Sequence, residues 1–161
     1  MPPDPQIFAL AQQVGEGLRR RGWSLAVAES CTGGLLGAAL TDVPGSSAYF
    51  LGGVISYADR VKVEQLRVPQ ATLRQHGAVS EQTAAAMASG VRQLLHADIG
   101  VSITGVAGPE AEGTKPVGLT FIGIAAQAST TRRFQWSGDR WDNRRRSVVA
   151  ALELLVQTLG L

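Results

Sequence analysis

Leu25-Ala26-Val27-Ala28 runs directly into Glu29-Ser30-Cys31-Thr32-Gly33-Gly34, and the reading of that junction decides the fold of this chain. The apolar run after Gly22 predicts a short buried strand, and Leu35 to Leu40 continues helically beyond the glycines. A strand that turns at once into a helix is a building unit of an α/β sheet. The turn sets the hydroxyls of Ser30 and Thr32 and the glycines Gly33 and Gly34 beside unpaired N–H groups of a helix start, a geometry suited to an anion or to a nucleophile. A serine or threonine near a helix start is more often only a cap, and the stretch alone favours that reading. It lacks the lysine and spacing of a Walker loop and the pattern of the dinucleotide fingerprint, which disfavours those two nucleotide-binding modes in their common forms.

Upstream, Asp4 followed by Pro5 is an N-cap and first-turn pair, and Ile7, Leu10, Ala11, Val14 and Leu18 recur at helical spacing, predicting a helix to about Arg21. Arg19, Arg20 and Arg21 then complement the negative pole of its dipole. Downstream, Val43-Pro44-Gly45-Ser46-Ser47 is turn chemistry, Gly53 to Tyr57 reads as a second strand, and a short helix carries Lys62. Ser80 caps a helix with Ala84, Met87, Val91, Leu94 and Leu95 on one face. Ile99 to Thr104 is a third strand. Gly105 to Pro116 is a polar surface loop, Val117 to Ala126 and Thr131 to Trp136 form a hairpin, and a last helix buries Val148, Leu152, Leu155, Val156 and Leu159. Alternating helices and strands with a late hairpin predict an α/β fold, a mixed sheet covered by helices on both faces, in a single domain over residues 1–161. The turns after Ala28, Tyr57 and Thr104 all follow strands, where ligands of such sheets bind.

The chain has 161 residues, 45% hydrophobic and 17% charged, enough for one substantial core. Fifteen basic residues against 13 acidic leave little attraction for nucleic acid or an anionic membrane, so neither is an expected partner. The single cysteine, Cys31, forms no internal disulfide, and the N-terminus lacks the pattern of a signal peptide. No apolar stretch is long enough to span a bilayer, and a cytoplasmic protein is expected. Two histidines and one cysteine without ligand spacing predict no metal.

Several residues suit chemistry. Ser46-Ser47 reads as a turn and cap, but Lys62 offers a second reading, because a lysine desolvated in a cleft sheds its proton and serves as general base to a serine. Tyr57 ends a strand with its hydroxyl available, or simply packs with a wet tip. Cys31 reads as a small buried apolar group. Thr104-Gly105-Val106-Ala107-Gly108-Pro109 offers backbone N–H groups for a substrate or is an ordinary connection. Arg140 is placed to clamp an anion, whereas Arg144, Arg145 and Arg146 read as a solvated face.

The stretches Ala28 to Gly34, Pro44 to Ser47, Tyr57 with Lys62, His76 to Ser80, Thr104 to Pro109, Lys115 to Gly118 and Gly138 to Arg140, in that order, closely resemble the CinA C-terminal domain, or PncC, family. The resemblance implies a three-layer α/β/α fold, here with a mixed, mostly parallel five-stranded sheet. It also implies a nicotinamide-nucleotide amidase that hydrolyses the carboxamide of nicotinamide mononucleotide to nicotinic acid mononucleotide and ammonia without a cofactor. Catalytic positions fall by resemblance on Ser30, Ser47, Tyr57 and Lys62. The expected arrangement has Ser47 attacking, Lys62 as its base, Ser30 at the oxyanion and Tyr57 orienting the lysine or substrate. Thr32 and Gly33 are expected at the substrate, with Thr104, Gly105, Ala107, Gly108 and Arg140 at ribose and phosphate. The resemblance further suggests a homodimer. One departure stands out: Glu110-Ala111-Glu112-Gly113-Thr114 replaces the more glycine-rich loop often found in the family. Two rival functions are a non-catalytic nucleotide-binding or regulatory domain and an amidase for another small carboxamide.

Overall fold

Alternate side chains of the first strand, β1 (Leu25–Glu29), leave on opposite faces and feed different cores, as the two-residue period of a strand requires. Leu25 and Val27 join one apolar cluster, Ala26 and Ala28 the other. The computed structural model describes residues 2–161. The chain order is α1 (Pro5–Arg21), β1, α2 (Leu35–Thr41), a single 3-10 turn (Ser46–Ala48), β2 (Phe50–Ile55), α3 (Asp59–Leu66), α4 (Gln70–His76), α5 (Glu81–Leu94), β3 (Ile99–Gly105), β4 (Leu119–Ala125), β5 (Ser129–Gln135) and α6 (Arg140–Thr158). The strands lie in the order β2-β1-β3-β4-β5. β1 pairs in parallel with both β2 and β3, while β4 runs antiparallel to β3 and β5 antiparallel to β4, so only β4 opposes the common direction. The helices α1, α2 and α6 cover one face and α3, α4 and α5 the other, giving the expected three layers.

Local signals account for most of these elements. Asp4 Oδ1 accepts from the N–H groups of Gln6 at 3.0 Å and Ile7 at 3.2 Å, and α1 ends on Gly22 at φ 64, a conformation that glycine adopts without strain. Ser80 Oγ accepts from Thr83 N–H at 3.1 Å to start α5.

Two elements differ from expectation. β2 begins at Phe50 and ends before Tyr57, because the turn after Pro44 closes within one 3-10 turn and leaves the chain extended earlier than Gly53. Gly53 is required there, since a Cβ would strike the Val27 carbonyl and side chain of β1. Helix α4 was not expected, as it buries none of its residues and so carries no apolar periodicity.

Candidate active site

Three parallel strands end together, and the segments leaving them build one site. The N–H of Ser30 donates to Ile103 O of β3 at 2.9 Å, and the N–H of Ser56 donates to Glu29 O at 2.8 Å, so Ser30 is held between the ends of its two neighbouring strands. Helix α3 then sends Lys62 inward to 1% exposure. Its Nζ lies 2.6 Å from Ser56 O, 3.2 Å from Tyr57 O and 3.0 Å from Ser30 Oγ. A cavity of about 250 Å³ opens beside this pair, lined by Ser30, Cys31, Tyr57, Lys62, Ala78, Val79 and Thr104–Ala107, with Asp59, Glu110 and Glu112.

Burial drives the Lys62 amine below its ordinary pKa, against the opposing pull of Asp59 and Glu112. A neutral amine has two N–H bonds and one lone pair. Two carbonyls, Ser56 O and Tyr57 O, stand ready for the two N–H bonds, which leaves the lone pair for the hydroxyl proton of Ser30. The pair therefore suits general-base activation of a serine. Cys31, next along the chain, has its thiol pushed up to about 11 by desolvation and is not a thiolate near neutrality.

The turn around Ser30 is fixed from two sides. The Glu29 carboxylate, 1% exposed, accepts from the N–H groups of Gly34 at 3.2 Å, Leu36 at 2.9 Å and Gly37 at 3.0 Å, satisfying the start of α2. From the other side Arg144 donates through Nε to Cys31 O at 3.1 Å and through Nη2 to Thr32 O at 3.2 Å. Neighbours on α6 hold the loop after β3: Arg140 Nη1 donates to Gly108 O at 2.6 Å and Asn143 Nδ2 to Ala107 O at 3.0 Å. Arg140 Nη2 also lies 3.4 Å from the Tyr57 hydroxyl. Arg144 was expected on a solvated face, and this is corrected: it donates to the carbonyls of the turn after β1, whereas Arg145 bonds Asp4 and Gln6 and Arg146 bonds Asp142. Sequence reasoning missed Glu29 and Asn143 as well. The signal for Glu29 was an acid at the end of a buried apolar strand, just before a helix start.

Of the residues singled out in the sequence, Ser30, Tyr57, Lys62, Thr104, Gly105 and Ala107 line the cavity together. Thr104 Oγ1 donates to Ala78 O at 2.8 Å, which ties β3 to the segment before α5. Thr32, Gly33, Gly108 and Arg140 do not line it. Thr32 is buried with its Oγ1 unpartnered, Gly33 N–H donates to Ser30 O at 3.1 Å with φ 58, and Gly108 serves as acceptor for Arg140.

Ser47 is the main correction. It is exposed in the 3-10 turn that precedes β2, at the amino end of a strand whose carboxyl end leads to Tyr57 and Lys62. A strand of that length, roughly 20 Å, separates Ser47 from the lysine, so the expected Ser47–Lys62 pair does not form. Lys62 pairs with Ser30 instead. Among the described residues no three His, Cys, Asp or Glu side chains cluster as ligands for a metal ion. No helix among them is long and apolar enough to cross a membrane.

A model of the CinA C-terminal domain matches residues 7–159. A putative competence-damage inducible protein of Halothermothrix orenii is 54% identical over 140 residues, which is 84% of this chain and 34% of that protein. A CinA-like protein of Chlorobium limicola is 51% identical over 150 residues, 89% of this chain and 35% of that protein. The chain thus spans about a third of the length of these curated relatives. Among solved structures, the competence/damage inducible protein CihA of Agrobacterium tumefaciens superimposes with a TM-score of 0.95 at 36% identity, covering 100% of both chains. The competence damage-inducible protein A of Klebsiella pneumoniae gives 0.93 at 36% identity, covering 96% of this chain and 97% of its own.

Proposed function

This chain belongs to the CinA C-terminal domain family, and from that membership together with its Ser30–Lys62 pair we propose that it hydrolyses the carboxamide of nicotinamide mononucleotide to nicotinic acid mononucleotide and ammonia. The observation that carries the reading is the buried Lys62 Nζ at 3.0 Å from Ser30 Oγ, in the wall of a cavity. The substrate comes from the family resemblance, the reaction type from the pair.

In this mechanism Ser30 Oγ attacks the amide carbon while its proton passes to Lys62 Nζ. The backbone N–H of Cys31, a residue that lines the cavity and whose N–H has no backbone acceptor among the described residues, serves the developing oxyanion from the turn that Glu29 and Arg144 hold. The C–N bond then breaks, Lys62 returns the proton to the departing nitrogen, and ammonia leaves an acyl ester on Ser30. Water attacks that ester with Lys62 again taking the proton, the ester C–O bond breaks, and Ser30 recovers its proton as the acid departs. Tyr57 presents its carbonyl to Lys62 and its hydroxyl to Arg140, so it orients the base and borders the substrate. Gly105 to Ala107, which line the cavity, take the ribose, and Arg140, beside the Tyr57 hydroxyl, takes the phosphate, binding remote from the reacting carbon. Incubating the purified protein with nicotinamide mononucleotide and measuring ammonia tests the proposal. Release that requires Ser30 supports it, and absence of release refutes it.

A further inference from the structure

Arg144 does more than pin the turn after β1, because the hydrogen bonds that start at its guanidinium run in series to the oxyanion donor. Its Nη2 donates to Thr32 O at 3.2 Å, the same peptide group presents the Gly33 N–H, and that N–H donates to Ser30 O at 3.1 Å. Ser30 O shares its own peptide group with the Cys31 N–H, which has no backbone acceptor among the described residues and belongs to a residue that lines the cavity. Every carbonyl in this series accepts and every N–H donates onward, so polarisation adds in one direction, by about 10–30% per bond.

The series begins at an uncompensated charge. Among the described residues Arg144 is in no ion pair, and its guanidinium also lies over the Trp141 ring, 5.2 Å from the centroid, a contact that leaves the charge in place. Desolvation dominates the Cys31 thiol, and among the charges acting on that thiol Arg144 comes first, so its field reaches the residue that bears the donor. Its neighbours cannot stand in for it, since Arg145 is bonded to Asp4 and Arg146 to Asp142. Glu29, the other support of the turn, accepts from Leu36 and Gly37 of α2 and lies off the series.

We infer that Arg144 is a positioning residue for the oxyanion step: its guanidinium, bonded to Thr32 O, acts through the Thr32–Gly33 and Ser30–Cys31 peptide groups to orient the Cys31 N–H and strengthen it as a donor. The inference rests on the amide-hydrolase reading above and assigns a residue to that site which touches neither substrate nor nucleophile. When Ser30 adds to the amide, negative charge gathers on the amide oxygen opposite the Cys31 N–H, and the bonds of the series tighten together. No proton leaves the backbone.

The test compares the wild type with Arg144→Gln and Arg144→Lys, in ammonia release from nicotinamide mononucleotide and in the amide-proton shifts of the isotope-labelled protein without substrate. An oxyanion donor is worth about 10²- to 10³-fold and the charge sets part of that, so kcat falls about tenfold in Arg144→Gln while KM stays within about twofold. Arg144→Lys, which keeps the charge, holds kcat within about threefold of wild type. In Arg144→Gln the amide protons of Gly33 and Cys31 move upfield, and those of Leu36 and Gly37, held by Glu29, keep their positions. A kcat within about twofold of wild type in Arg144→Gln, a loss carried by KM, or a lysine variant no better than the glutamine one overturns the inference. So does movement of all four amides together, or a glutamine variant that does not fold, either of which marks a merely structural role. Should the wild type release no ammonia, the amidase reading fails and the shifts alone decide: Gly33 and Cys31 moving without Leu36 and Gly37 uphold the series, and unmoved Gly33 and Cys31 overturn it.

Discussion

Replacing Lys62 by methionine removes the base and leaves a side chain of similar length in the same buried path. The lost group is an amine with three oxygen neighbours at 2.6, 3.0 and 3.2 Å, and it is the side-chain nitrogen bonded to Ser30 Oγ. A positioned general base contributes about 10²- to 10⁴-fold, so kcat for ammonia release is expected to fall about 10³-fold, a rise of about 4 kcal/mol in the barrier. Ser30→Ala loses a similar amount. Because the two residues act as one device, the double variant falls no more than about tenfold below either single one. If either single variant keeps kcat within about tenfold of wild type, or if the two losses multiply, the dyad is refuted. A second readout concerns stability. The folded lysine titrates below its ordinary value of 10.5 and the unfolded one at that value, so between the two the unfolded chain binds more protons. Wild-type stability relative to Lys62→Met must then rise with pH through that window, by at most about 1.4 kcal/mol per pH unit. Urea unfolding at several pH values measures it, and a difference flat in pH contradicts a depressed Lys62.

Ser47→Ala is expected to retain kcat/KM within about twofold, as an exposed surface substitution away from the site does, and a loss comparable to Ser30→Ala would restore Ser47 as nucleophile. Only the neutral amine accepts the serine proton, so kcat/KM rises with pH as Lys62 deprotonates, and Asp59→Asn, by removing a charge that favours the ammonium form, moves that rise to lower pH; a pH–rate profile shifted the other way contradicts this. With its thiol at about 11, native Cys31 reacts with a thiol reagent at pH 8 roughly two hundred times more slowly than an ordinary cysteine, from its thiolate fraction alone. Reaction at the rate of the denatured chain would show the thiol to be exposed or ionised.

The elements legible in the sequence were those written into neighbouring residues. Asp4 and Pro5 start α1 and Ser80 starts α5 through contacts two or three residues away. The hairpin of β4 and β5 likewise needed only two strand-forming runs a few residues apart. Helix α4 escaped because it fully buries none of its residues and sets only Leu73 against the core, too little for a periodic mark. In the site, Ser30 and Lys62 were both recognised as chemically able, but their pairing spans 32 residues and the competing Ser47 lies nearer Lys62 along the chain.

What the sequence by itself determined was the alternation of strands and helices, the reactive residue types and the three turns that carry them, since each depends on local spacing and local hydrogen bonding. Which serine meets the lysine was decided only by tertiary structure. Parallel pairing of β2 beside β1 puts Ser47 at the start of one strand and Ser30 at the end of the other. The same packing strips water from the amine and turns the Arg144 guanidinium onto the carbonyls of Cys31 and Thr32. Direction along a strand is not a property of any residue in it, and desolvation belongs to the neighbours that surround a group, so neither can be read until the chain has closed on itself.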